Sequence, residues 1–225
     1  MPGSKVRGGL CGSRHLPAGK SPDVLHATAT GRQLVRLARL GVARHERHIK
    51  KALSWLLERN IDYGDFARRN EAWGGDWVAL EAAFLWGRED DKTVQAGVRS
   101  IVQNEDRWLG DGRNRHAHAL RILLLDRTKC DGPAAGRALR WLVKNQRADG
   151  TWPSNSLYEC LDTLIRAPRS VGAALVEKAL PKLQKTQKRG GSWKFPQRGI
   201  APQTPDEQHV RVLECLVRFG FLEIP

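Results

Sequence analysis

The strongest constraint on this chain is that it repeats itself. Four segments, ALSWLLERN from Ala52, GVRSIVQNEDRW from Gly97, ALRWLVKNQRADGTW from Ala138 and ALPKLQKTQKRGGSW from Ala179, begin 45, 41 and 41 residues apart. Each opens with small or aliphatic residues at i and i+4 (Ala52/Leu56, Gly97/Ile101, Ala138/Leu142, Ala179/Leu183), the spacing of one face of an α-helix. Three of them close on a polar stretch ending in Trp108, Trp152 and Trp193. A second helical pattern follows each turn. WVALEAAFLWG (77–87) and HAHALRILLLD (116–126) are apolar on nearly every side, as buried helices are. SLYECLDTLIRA (156–167) and EQHVRVLECLVRFG (207–220) are more amphipathic but keep Leu157/Leu161/Leu164 and Val210/Leu213/Val217. A period of this length belongs to stacked helix pairs. The expectation is an all-α chain of about four helix-pair repeats, each an amphipathic outer helix, a Gly/Trp turn and a more buried inner helix. Pro133 and Pro168 mark breaks between repeats.

The bulk numbers are those of a globular protein, with 225 residues, 40% of them hydrophobic and 28% charged. No apolar run approaches the roughly 18 residues of a membrane span, and no short apolar segment near the start resembles a signal peptide. Cys11, Cys130, Cys160 and Cys215 show neither close pairing nor CxxC spacing, which argues against a disulfide framework and for a reducing cytoplasm. The net charge of +14 is unevenly spread: residues 1–51 hold eleven Lys and Arg against two acids. Residues 1–28, rich in Gly, Ser and Pro, are expected to be a flexible basic segment, and residues 29–222 the helical-repeat domain. The Arg-rich, acid-poor start also has the composition of a transit peptide, but its Gly and Pro interrupt the amphipathic helix such a peptide needs. A basic start on a nearly balanced body, without aromatic–basic interleaving on one face, argues against nucleic acid as the partner.

QRADGTW (146–152) reads Q-x-x-D-G-x-W, and QKRGGSW (187–193) is a close variant. These segments resemble the QW repeat of the squalene cyclase and protein prenyltransferase superfamily. GGDW (74–77) and NEDRW (104–108) are degenerate forms. The resemblance covers roughly residues 30–222 and implies an α/α toroid, its inner helices surrounding a central cavity. Related toroids close with about six helix pairs, so four imply a partial toroid, an open arc with two apolar edges. A homodimer or a protein partner would cover them. The Gln and Trp of such turns read first as clamps: the Gln bonds free backbone groups at a helix end, and the Trp packs over the next helix.

The resemblance also implies where chemistry would sit. The starts of the inner helices face the mouth of the cavity, at positive helix ends that suit an anion such as a diphosphate. Trp77, Arg113, Arg115, His116, His118 and Tyr158 stand at or near these starts and are the candidate substrate-binding residues. His116 and His118 are two apart on a predicted helix, so they point to different faces. The D-x-D-D acid of the proton-initiated cyclases is absent from the sequence, and Asp90–Asp91 is its only Asp pair, in a charged loop without the third acid of a magnesium-binding patch. Catalytic residues are therefore not assigned. Prenyltransferase β subunits hold zinc with an Asp-x-Cys and the His of a D-x-x-H. PDEQH (205–209) matches the second element through Asp206 and His209, and Cys160 stands near the first, with Tyr158 where the Asp belongs. The candidate zinc set is Cys160, His209 and a carboxylate from Asp206, Glu159 or Asp162.

Two functions follow as expectations. The first is an isoprenoid-handling protein that binds or transforms a polyprenyl or triterpene-like substrate in the cavity. The second is a non-catalytic helical-repeat scaffold for another protein; a basic nucleic-acid-binding solenoid stands third.

Overall fold

The computed structural model describes residues 22–42, 47–61, 74–110, 115–153, 156–195 and 204–223. Over these residues the chain is helical, with nine α-helices, one short 3-10 turn and no strand. The all-α expectation therefore holds. The chain divides into two compact units, residues 1–101 with 199–201 and residues 102–198 with 202–225, where the sequence suggested one repeat domain.

In the first unit, α1 (Pro22–Arg39) packs on α2 (Arg47–Ile61) and most extensively on α3 (Gly74–Leu85). The small buried run Ala27–Gly31 lets α1 approach closely, and a Cβ on Gly31 would come within 3.0 Å of Val78. Two polar contacts tie the pair: Arg39 donates to Glu81 at 2.7 Å, and the Trp86 indole N–H donates to the Leu34 carbonyl at 2.9 Å. Helix α1 starts at Pro22, and Ala27 and Thr28 are buried, so the flexible segment expected over 1–28 is helical from its twenty-second residue. The rest of that expectation, residues 1–21, lies outside the described residues. Helix α4 (Lys92–Gln103) buries Val94, Val98 and Ile101, one stripe at helical spacing.

The second unit holds the turn at Glu105–Arg107, then α5 (Arg115–Leu125), α6 (Pro133–Asn145), α7 (Leu157–Leu164), α8 (Arg169–Thr186) and α9 (Pro205–Arg218). Helices α5, α7 and α9 lie side by side in that order, α6 packs on α5 and α8, and α8 on α7. Local chemistry explains the starts. Ser156 caps α7 by accepting from the Glu159 N–H. Thr204 and Glu207 form a reciprocal capping box on α9, and Pro133 and Pro205 open α6 and α9 where no amide hydrogen is needed. Helices α6 and α8 bury a single stripe each (Ala134, Ala135, Ala138, Leu139, Leu142; Gly172, Leu175, Val176, Ala179, Leu183), whereas α5 and α7 are buried along most of their length. Helix α9 departs from its expected apolar stripe: Val210 is 58% exposed, because the buried face runs through Gln208, Arg211, Val212, Cys215 and Leu216. Gly172 is required where α8 meets the end of α9, since a Cβ there would overlap the Phe219 ring.

Candidate functional site

Two turns of the second unit are built from the same bonds. In the first, the Trp152 indole donates to the Leu142 carbonyl at 2.9 Å, the Gln146 amide donates to the Gly150 carbonyl at 3.0 Å, and Arg147 N–H meets the Thr151 carbonyl at 2.8 Å. In the second, Trp193 donates to Leu183 at 2.9 Å, Gln187 to Gly191 at 2.6 Å, and Lys188 N–H to Ser192 at 2.9 Å. Gly150 and Gly191 both have φ +79°, a left-handed conformation that favours glycine. Each partner is 41 residues from its counterpart, so the matching Gln, Gly and Trp of the sequence become one hydrogen-bonding pattern used twice. The roles differ from the expectation: the Trp indoles bond carbonyls in the last turns of α6 and α8, the Gln amides bond the turn carbonyls, and only Gln146 also reaches a second helix.

Their surroundings differ. Gln146 is buried, its amide also donates to the Leu175 carbonyl on α8 at 2.8 Å, and Lys178 Nζ returns a bond to the Gln146 carbonyl at 3.0 Å. Gly150 lies so close to α8 that a Cβ would strike the Lys178 carbonyl and the Ala179 backbone. Gln187 is exposed, and a Cβ on Gly191 would meet only Gln187 itself, at 3.9 Å, among the described residues.

A third turn, before α5, uses histidine. Gly110, again at φ +79°, donates its N–H to His116 Nδ1 at 3.0 Å. That ring nitrogen therefore carries no proton, and Nε2–H donates to the Ala138 carbonyl on α6 at 3.1 Å. The imidazole is fully buried between Trp108 and Trp141, with ring centroids 5.9 and 4.4 Å away. Burial pushes its pKa down to about 4, and the bond to Ala138 offsets only part of that.

A layer of charge crosses α5, α7 and α9. Asp162, with no exposed side-chain surface, accepts Arg121 on one oxygen and Arg211 Nε on the other at 2.5 Å. Arg121 Nη2 also donates to Glu159 at 2.6 Å and meets His118 Nδ1 at 2.9 Å, while Arg211 Nη1 pairs with Glu214. Thr163 shares its hydroxyl proton between the Glu159 and Ala117 carbonyls, at 2.7 and 3.1 Å. Two guanidinium groups on one buried carboxylate fix the register of three helices, and losing one partner would leave an uncompensated buried charge, worth about 3–5 kcal/mol. Arg211 Nη2 is buried without a hydrogen-bond partner among the described residues.

The structure distributes the candidate residues as follows. Trp77 is buried in the first unit. Tyr158 is 1% exposed and packs against Phe195 at 5.6 Å between centroids, so it is a core ring and not a wall of an open cavity. Arg113 lies outside the described residues, and Arg115 is half-buried at the first residue of α5. His116 is corrected from anion binder to turn clamp, because both ring nitrogens are spent on backbone groups and burial keeps the ring neutral. His118 points elsewhere, as its spacing predicts, and joins Arg121 and Glu159.

The zinc set does not assemble. Cys160 is fully buried on α7, and burial pushes its thiol well above the ordinary range. His209 stacks on Trp193 (5.4 Å, 27°), and Asp206 is exposed in the first turn of α9. Glu159 and Asp162 are engaged by arginines. Among the described residues no three His, Cys, Asp or Glu side chains are grouped to hold a metal. Among the described residues Cys130, Cys160 and Cys215 are free, and no described helix is long and apolar enough to cross a membrane.

Sequence reasoning passed over Arg121 and Arg211. For Arg121 the signal was a lone charge inside an otherwise apolar run, ALRILLL, whereas Arg211 shares HVRVLECLV with Glu214 and gave no such signal. Compared with known proteins, the chain matches no family model, no curated protein and no solved structure.

Proposed function

We propose that this chain is a non-catalytic helical-repeat scaffold, a partial α/α toroid that holds another protein. One observation carries the reading: the 146–152 and 187–193 turns share their bonds, yet among the described residues no helix approaches Gly191 as α8 approaches Gly150, so the second turn offers an unused packing surface. Two further observations support it. The charged groups of α5, α7 and α9 are spent largely on one another, and the candidate aromatic rings Trp77 and Tyr158 are core residues. The test is a photo-crosslinking residue placed at exposed Lys188, in cells that make the protein. A defined protein adduct is expected, absent when the same residue replaces exposed Val143 on α6. Equal trapping at both positions overturns the scaffold.

The second reading is an isoprenoid-handling toroid. Its support is the QW pattern, now seen as two like-bonded turns, and the half-buried His118 and Glu159 on neighbouring helices α5 and α7, where the resemblance places a cavity. Lipid extraction and mass spectrometry of the purified full chain discriminate: a co-purifying polyprenyl or triterpene lipid favours this reading and its absence favours the scaffold.

A further inference from the structure

The 187–193 turn carries the fittings with which the 146–152 turn holds α8. At the covered turn the Gln146 amide bonds both its own turn and the Leu175 carbonyl, Lys178 reaches back to the Gln146 carbonyl, and Gly150 bares its Cα to the α8 backbone. At the open turn the Gln187 amide bonds the Gly191 carbonyl, its residue is exposed, and Gly191 faces no neighbouring element among the described residues. The adjoining helix is open as well. The start of α9 packs under this turn, with His209 on Trp193 and Gln208 bonded to the Phe195 backbone at 2.9 and 3.1 Å. From there α9 presents exposed Val210 and half-buried Leu213 and Val217, an i, i+3, i+7 stripe suited to a helix laid alongside.

Charge selects the occupant. From Lys178 to Pro205 the sequence holds seven Lys and Arg and no acid, whereas α9 holds Asp206, Glu207 and Glu214 against Arg211 and Arg218, so the positive charge belongs to the turn and not to the α9 face. Lys185, Lys188, Arg189 and Lys194 are all exposed. Helix α4, α6 or α8 of a second copy, seated as α8 is on the covered turn, would bring like charge: α4 and α6 contain basic residues and no acids, and α8 has four basic residues against Glu177 alone. Resting on the scaffold reading, we infer that the 187–193 turn and the adjoining face of α9 dock an acidic amphipathic α-helix of a partner protein, seated as α8 sits on the 146–152 turn.

The experiment uses the full chain and a fluorescent peptide of the 18-residue α8 sequence, Arg169–Thr186, carrying Arg169→Glu, Lys182→Glu and Lys185→Glu and keeping the lysine that returns to the Gln carbonyl. Fluorescence anisotropy is expected to show binding about tenfold tighter than for the unmodified α8 peptide. The exposed double variant Lys188→Glu/Arg189→Glu should abolish it. Gln187→Ala should weaken the peptide several-fold while leaving any binding of a short DNA duplex unchanged, which separates a shaped helix site from a general polyanion surface. No binding of the acidic peptide overturns the inference. So does equal binding of the unmodified peptide together with self-association lost in Lys188→Glu, which would make the occupant a second copy. DNA bound as tightly as the peptide, with Gln187→Ala without effect on either, overturns it too. If the Lys188 crosslink traps a protein while the acidic peptide does not bind, the scaffold stands and this inference falls.

Discussion

The turns at 146–152 and 187–193 are the same device in two settings. Both close on a Trp indole bonded to a carbonyl ten residues earlier, and both place glycine at φ +79°. One is sealed by α8, and the other meets no further helix at its glycine among the described residues. The internal bonds of a turn are therefore written into about ten residues of sequence, while its burial depends on whether another helix arrives. The comparison separates the worth of a local hydrogen-bond pattern from the worth of what packs on it.

Glycine should break the symmetry most. Gly150→Ala adds a methyl against the α8 backbone as well as left-handed strain, for a loss of about 4 kcal/mol. Gly191→Ala meets only Gln187 Nε2, at 3.9 Å, among the described residues and should lose only about 1 kcal/mol, from backbone strain alone. Denaturant unfolding of the two variants checks this, and equal losses would mean that the second turn is also covered.

The tryptophans should behave alike. Trp152 and Trp193 are 2% and 5% exposed and make the same bond, so Trp152→Ala and Trp193→Ala should each destabilise by about 3 kcal/mol. A Trp193→Ala variant with an unmoved melting temperature would show that the second turn is not a clamp at all.

The histidine turn extends the comparison to pH. His116 has its pKa lowered from 6.5 to about 4, so the unfolded chain takes up the proton first. Its contribution is fully present above about pH 6.5 and is lost as pH falls toward 4, a change of about 3 kcal/mol across that window. His116→Gln can accept from Gly110 and donate to Ala138 without titrating, and should flatten the pH dependence of the melting temperature between those values. An unchanged slope would place the acid sensitivity elsewhere.

The glutamines give the smallest and most asymmetric effect. Gln146→Ala leaves the buried Gly150 and Leu175 carbonyls without this donor and should cost about 2 kcal/mol. Gln187→Ala removes an exposed bond and should change stability by less than about 0.5 kcal/mol.

Much of this molecule was legible along the chain. The i, i+4 aliphatic pairs located α2, α4, α6 and α8, the apolar runs located α3 and α5, the amphipathic patterns located α7 and α9, and the Gly-to-Trp spacing located both turns. These features depend on bonds between residues close in sequence, so the sequence states them directly. Chain distance hid the rest. Asp162 gathers Arg121 from 41 residues upstream and Arg211 from 49 downstream, and no local pattern announces that meeting. Cys160 stood near the position of a metal motif's first element, but α7 is buried on most sides, and that packing makes the thiol core. His116 matched an anion-binding position at a helix start until Trp108 and Trp141 closed over it. The sequence by itself determined the helices from α2 onward and the glycine–tryptophan turns, because each is satisfied within about one turn-length of backbone. Only the tertiary structure decided which charges are buried together and which clamp is left open, because burial is a property of neighbours that arrive from elsewhere in the chain.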